Sequence, residues 1–169
     1  MEITVNRLMR TGLHMAVVCG LLAGTLVLAA ETGTAPTTEQ TAVMLNYARL
    51  YTGADNETHF DDVGVTFVYR NYAEGIPPIW LPKEGMIDVA GLQFVSMPAG
   101  WDGREWHPAP RRQFILPLSG EMEFRASDGE TRVFGPGAVL LLDDTTGKGH
   151  ASRMVSSTPG IFAVVPLSK

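Results

Sequence analysis

The sequence predicts an all-β fold, a single small antiparallel β-barrel of jelly-roll type spanning about residues 61–169. Three observations predict it. Short apolar runs alternate with polar residues at a period of two. Turn clusters built on Gly, Pro, Asp and Ser punctuate them at short, even intervals. No apolar run at helical spacing stands between them as a crossover. Composition fits one globular domain: of 169 residues, 45% are hydrophobic and 18% charged. That is enough chain to bury a core without disulfide staples.

The N-terminal stretch reads differently. Arg7 and Arg10 precede an apolar run from Met15 to Ala30 that ends on Ala29-Ala30 and then turns polar. A basic start, a short apolar centre and a small-residue exit make a Sec-type signal peptide over residues 1–30, cut after Ala29 or Ala30. The run is short for a membrane span, so stable insertion after processing is not expected. The single cysteine, Cys19, lies in this leader. The exported domain then has neither thiol chemistry nor a disulfide, which suits a bacterial periplasm or secretion better than a disulfide-dense animal scaffold.

Residues 31–60 read as a linker and N-terminal segment. Within it, Val43, Tyr47 and Leu50 stand at helical spacing, so Thr41–Tyr51 is expected as a short helix or an extended segment. From Val63 the period becomes two, with Val65, Phe67 and Tyr69 alternating against Gly64, Thr66 and Val68. Ile76–Pro82 is extended but proline-rich, which confines it to an edge. Strands are expected at Leu92–Met97, Gln113–Leu118, Glu121–Ala126, Arg132–Phe134, Val139–Leu142, Ala151–Val155 and Ile161–Val165. Asp128-Gly129 is the clearest hairpin turn among them. Met97, Met122 and Met154 are expected in the core, with Glu121 and Glu123 facing water.

Charge excludes one class of partner. The net charge is −5, and Lys and Arg cluster nowhere except at Arg111-Arg112. A nucleic-acid partner needs a basic face and is not expected. Motifs for a serine elbow, a cysteine nucleophile, a zincin or a phosphate loop are absent.

Two stretches carry candidate chemistry. The first runs Gly100-Trp101-Asp102-Gly103-Arg104-Glu105-Trp106-His107-Pro108-Ala109-Pro110-Arg111-Arg112-Gln113, with Gly120 further on. The second is Gly135-Pro136-Gly137, a strand, then Asp143-Asp144-Thr145-Thr146-Gly147-Lys148-Gly149-His150. In order and spacing these stretches resemble the two motifs of the cupin superfamily, over about Leu92–Val165. His107 matches the first motif's leading His, Gln113 takes its Glu position, Gly120 its Gly, and His150 the second motif's His. Two positions depart from the pattern: the first motif's second His is Ala109, and its Glu is Gln113.

The resemblance implies a small-molecule domain. If the strand stays regular, His107, Ala109, Arg111 and Gln113 all face the barrel. His107, His150 and Gln113 are then candidate ligands for a divalent metal such as Fe, Mn, Ni or Zn. A metal-free pocket in which the two imidazoles bond hydrogen or exchange protons stands equal beside it. Arg111, Gln113, Trp106 and Lys148 are the candidate ligand-binding residues, with a guanidinium suited to a carboxylate. His59 is a candidate third imidazole over the mouth. Two functions follow from different classes: a metal-dependent oxygenase, isomerase or lyase acting on a small anionic compound, and a non-catalytic ligand-binding module. A homodimer covering a sheet edge with Ile76–Leu81 is the expected assembly.

Overall fold

A computed structural model describes residues 41–168. The leader, Cys19 and the polar stretch 31–40 lie outside the described residues.

Among the described residues, eleven strands form two sheets. The strands are β1 (Thr41–Thr52), β2 (Thr58–Arg70), β3 (Ile79–Pro82), β4 (Gln93–Met97), β5 (Asp102–His107), β6 (Gln113–Ser119), β7 (Met122–Arg125), β8 (Thr131–Phe134), β9 (Leu140–Asp143), β10 (His150–Met154) and β11 (Gly160–Pro166). The larger sheet has the order β3-β2-β1-β9-β6-β11-β4, and the smaller has β5-β10-β7-β8. Every pairing is antiparallel except β1 with β9. No ladder joins the sheets among the described residues, so the barrel is flattened and open at its seams.

The core lies between the two inner faces. Leu50, Leu140 and Phe162 are almost wholly buried there, beside Phe60, Phe124, Phe134 and Leu142. Each such side chain contributes roughly 1.5–3 kcal/mol. Met122 and Met154 are buried among them and Met97 packs alongside, as their alternation predicts. The hairpin at Asp128-Gly129 forms, with Gly129 at a φ of 103°. The proline-bearing β3 sits at the end of the larger sheet.

Two regions sharpen the expectation. Thr41–Thr52 is strand β1, the extended alternative rather than the short helix. Its helical spacing was a coincidence of three residues; Ala48 and Leu50 are buried while Tyr47, Arg49 and Tyr51 are not, which is period two. Long pairing with β2 on one side and β9 on the other outweighs a weak local preference. The larger sheet thus takes in Thr41–Phe60 as well as the strands beyond Asp61. The second region is β5, which carries the first motif's His. It belongs to the smaller sheet and ends at His107. The chain then crosses over Pro108–Arg112 and re-enters the other sheet as β6 at Gln113. The prolines break the regular strand, because they cannot supply ladder donors.

Candidate functional site

The site begins with one backbone contact. Gly149 has a φ of 78°, and a Cβ built on it would lie 2.1 Å from the carbonyl carbon and oxygen of His107. A side chain at this point would push the two strands apart, so glycine is what lets β10 close on the end of β5. The register that results sets His150 opposite His107. Their ring centroids are 4.7 Å apart, at an interplanar angle of 51°.

The loop before His150 is held from three sides. The Ala109 N–H donates to the Asp144 carbonyl at 2.9 Å. The Thr52 hydroxyl donates to the Thr146 carbonyl at 2.8 Å, and the Lys148 N–H donates to the Asn56 carbonyl at 3.2 Å. Thr58, fully buried, donates its hydroxyl to the Gly149 carbonyl. Three of these partners belong to the β1–β2 hairpin, so that hairpin clamps the site loop.

Each imidazole has one nitrogen committed. His150 Nδ1 lies 2.7 Å from Asp144 Oδ2, with both residues buried. His107 Nδ1 lies 2.8 Å from the Glu105 carbonyl oxygen. A carbonyl only accepts, so His107 Nδ1 carries the proton. An ionised Asp144 imposes the same on His150. In the neutral ring each Nε2 is then left with a lone pair. The other oxygen of Asp144, Oδ1, is buried without a hydrogen-bond partner.

Both rings border a cavity of about 450 Å³ between the sheets. Its walls are more apolar than polar, with Trp101, Phe124, Leu142 and Phe162 among them, and no carboxylate of the described residues lines it. Gly103 makes room for the Trp101 ring: a Cβ there would lie 2.5 Å from Trp101 Cη2. Arg111 and Gln113 also border the cavity. Arg111 makes no ion pair among the described residues, whereas its neighbour Arg112 pairs with Asp143.

The predicted site residues therefore divide. His107, Arg111, Gln113 and His150 meet at one cavity. Trp106 and Lys148, expected beside them, lie on the outer face of the smaller sheet, with the Lys148 ammonium 5.3 Å from the Trp106 ring centre. The reason is the strand period: Trp106 precedes His107 on β5 and points to the opposite side. His59 does not reach the mouth. Asp128 holds its Nδ1 at 2.7 Å and Asp55 its Nε2 at 3.1 Å. Hydrogen bonds to Asp55, then Asp128, raise its pKa above the ordinary histidine value. Asp144 carried no role in the sequence motifs. Its signal was the second Asp after the buried run Leu140–Leu142, six residues before His150.

The donor set does not fit the metal centre of the cupin pattern. That pattern supplies three imidazoles and a carboxylate. Here Ala109 is a buried methyl in the core, Gln113 is a neutral amide, and Arg111 brings positive charge to the same cavity. No group of three His, Cys, Asp or Glu suited to a metal occurs among the described residues.

No family model matches the sequence, and no curated protein matches it either. Among solved structures, the chain is similar to protein NMB1881 from Neisseria meningitidis, at 21% identity and a TM-score of 0.34, covering 48% of this chain and 79% of that one. It is also similar to the cupin domain of Cnp3 from Schizosaccharomyces pombe, at 10% identity and a TM-score of 0.36, covering 78% and 83%. The chain's own features define its class. Two facing, mainly antiparallel sheets, with the two histidine-bearing strands β5 and β10 paired in the smaller one, are an all-β fold of jelly-roll type.

Proposed function

We propose that this domain binds a small organic carboxylate in the cavity between its sheets, without a metal. One observation supports the reading: a cavity more apolar than polar, with no carboxylate of the described residues in its lining, is bordered by Arg111 and by His107 and His150. Such a lining favours a compact ligand with an apolar body and a negative head. Arg111 takes the carboxylate through its planar fork. Gln113 bonds a second polar group. His107 and His150 offer Nε2 lone pairs to a ligand hydroxyl or N–H, and Asp144 keeps the His150 ring in that orientation.

The proposal includes export behind the 1–30 leader and pairing into a homodimer through Ile76–Leu81. The support for pairing is that β3 ends the larger sheet while Ile76 and Ile79 stand 46% and 41% exposed. Light scattering that returns a monomer at micromolar concentration would remove the dimer. Recovery of the uncut chain from membranes would remove the export step.

The cavity reading is tested by calorimetric titration with a panel of small mono- and dicarboxylates, their amides and matching amines, together with elemental analysis of the purified protein. Carboxylates are expected to bind, and Arg111→Gln to weaken them about tenfold, which is about 1.4 kcal/mol. Equal binding of the amides sinks the carboxylate assignment. Stoichiometric Fe, Mn, Ni or Zn that disappears in both His107→Ala and His150→Ala sinks the metal-free one.

A further inference from the structure

The smaller sheet has a second face, and its side chains are organised too. On the side away from the core, a shallow groove of about 220 Å³ crosses β5, β10 and β7. Ala151 forms its low floor, because a methyl stands where its neighbours carry long side chains. Trp106 rises on one side and Arg125 on the other, with the Arg125 guanidinium carbon 5.6 Å from the Trp106 ring centre. Arg104 and Arg153 border the groove as well, and Lys148 stands over the same indole at 5.3 Å.

Most of these cations are held in place by acids. Asp102 binds Arg104, Glu123 takes Arg153 in a two-bond fork at 2.7 and 2.8 Å, and Glu57 lies 3.3 Å from the Lys148 ammonium. Arg125 has no carboxylate partner among the described residues. The groove thus presents one guanidinium with no carboxylate partner among the described residues, several pre-oriented N–H donors and Trp106, a residue 38% exposed.

We propose that this groove binds an acidic glycan, a chain of sugar rings with a carboxylate on each uronate unit. The flat C–H face of a pyranose stacks on the indole of Trp106, and the carboxylate of that unit lies against Arg125. Charge density decides between anionic polymers. Duplex DNA carries a charge about every 1.7 Å, which calls for many cations. This groove has one free guanidinium, on a chain of net charge −5. A sparsely charged polymer is the one that such a surface tolerates.

Titration of the full chain with an oligogalacturonate, followed by calorimetry and tryptophan fluorescence, tests this. The expected result is saturable, salt-sensitive binding with a change in indole emission. A neutral oligosaccharide of the same ring number should bind at least tenfold more weakly. Arg125→Gln and Trp106→Leu should each weaken the uronate at least tenfold, while Arg111→Gln leaves it unchanged. Arg125→Gln is an exposed substitution, so it decides the matter alone if Trp106→Leu does not fold. Absence of uronate binding, equal binding of the neutral chain, or indifference to Arg125→Gln overturns the proposal. So does a loss caused by Arg111→Gln, because the ligand would then be entering the cavity.

Discussion

The two faces of the β5–β10 pair share a backbone and differ in nearly everything else. The inner face carries His107 and His150 beside a cavity with aromatic and aliphatic walls. The outer face carries Trp106, Arg104 and Arg153 around a groove with an alanine floor. Trp106 and His107 are neighbours in the chain and serve opposite sides of the sheet. Adjacency in a motif therefore says little about adjacency in a site when the motif lies on a strand. Burial separates the polar pairs of the two faces, although His107 itself is exposed. The Asp144–His150 hydrogen bond is closed off from water, whereas the arginine–carboxylate pairs outside are largely solvated and contribute at most about 1 kcal/mol each.

Substitutions sort along this division. The largest effect is expected at Gly149, on which both faces depend. Gly149→Ala combines a left-handed backbone with a Cβ inside the backbone of His107, and should cost about 3 kcal/mol or more. Urea denaturation measures it, and near-wild-type stability would show that β5 and β10 need not approach so closely. Next comes the inner face alone. Asp144→Ala leaves His150 Nδ1 buried without its acceptor and should cost about 2 kcal/mol. Asp144→Asn keeps an acceptor and should cost less. If the two variants denature alike, the hydrogen bond is not what matters at this position.

Surface cations should move binding without moving stability. Arg111→Gln is expected to stay within about 0.5 kcal/mol of the parent while losing carboxylate affinity. A melting temperature that falls with the affinity would make Arg111 a structural residue. The smallest effect concerns pH. His59 bridges the β1–β2 and β7–β8 turns through Asp55 and Asp128, with the Tyr51 ring 5.8 Å away. Its raised pKa means that its contribution is full below the unfolded value of about 6.5 and fades as pH climbs past the folded one. Asp55 behaves oppositely. Hydrogen bonding to His59 lowers its pKa, so its contribution is present above about 3.9 and fades as pH falls through the lower folded value. The bridge should therefore stabilise most between about pH 4 and 6.5. Melting curves of His59→Gln should lose that part of the pH dependence, and an unchanged profile would remove the bridge from the account.

The all-β class, most strand positions and the Asp128-Gly129 turn were legible in the sequence. Period-two alternation and turn chemistry are local properties that a chain displays residue by residue. The resemblance of the two histidine motifs to the cupin pattern also implied that His107 and His150 would meet. Three things were decided by tertiary structure. Thr41–Thr52 is a strand because β2 and β9 flank it, and pairing partners distant in sequence leave no local mark. Asp144 became the partner of His150 through a loop shape set by Gly149, Ala109 and the β1–β2 hairpin, none of which is a feature of Asp144 itself. Trp106 went to the outer face because it alternates with the inward His107 on β5, and Lys148, on the loop before β10, stands over its ring. Which side of a sheet a residue serves depends on where the strand starts and stops, and only the packed fold sets those limits.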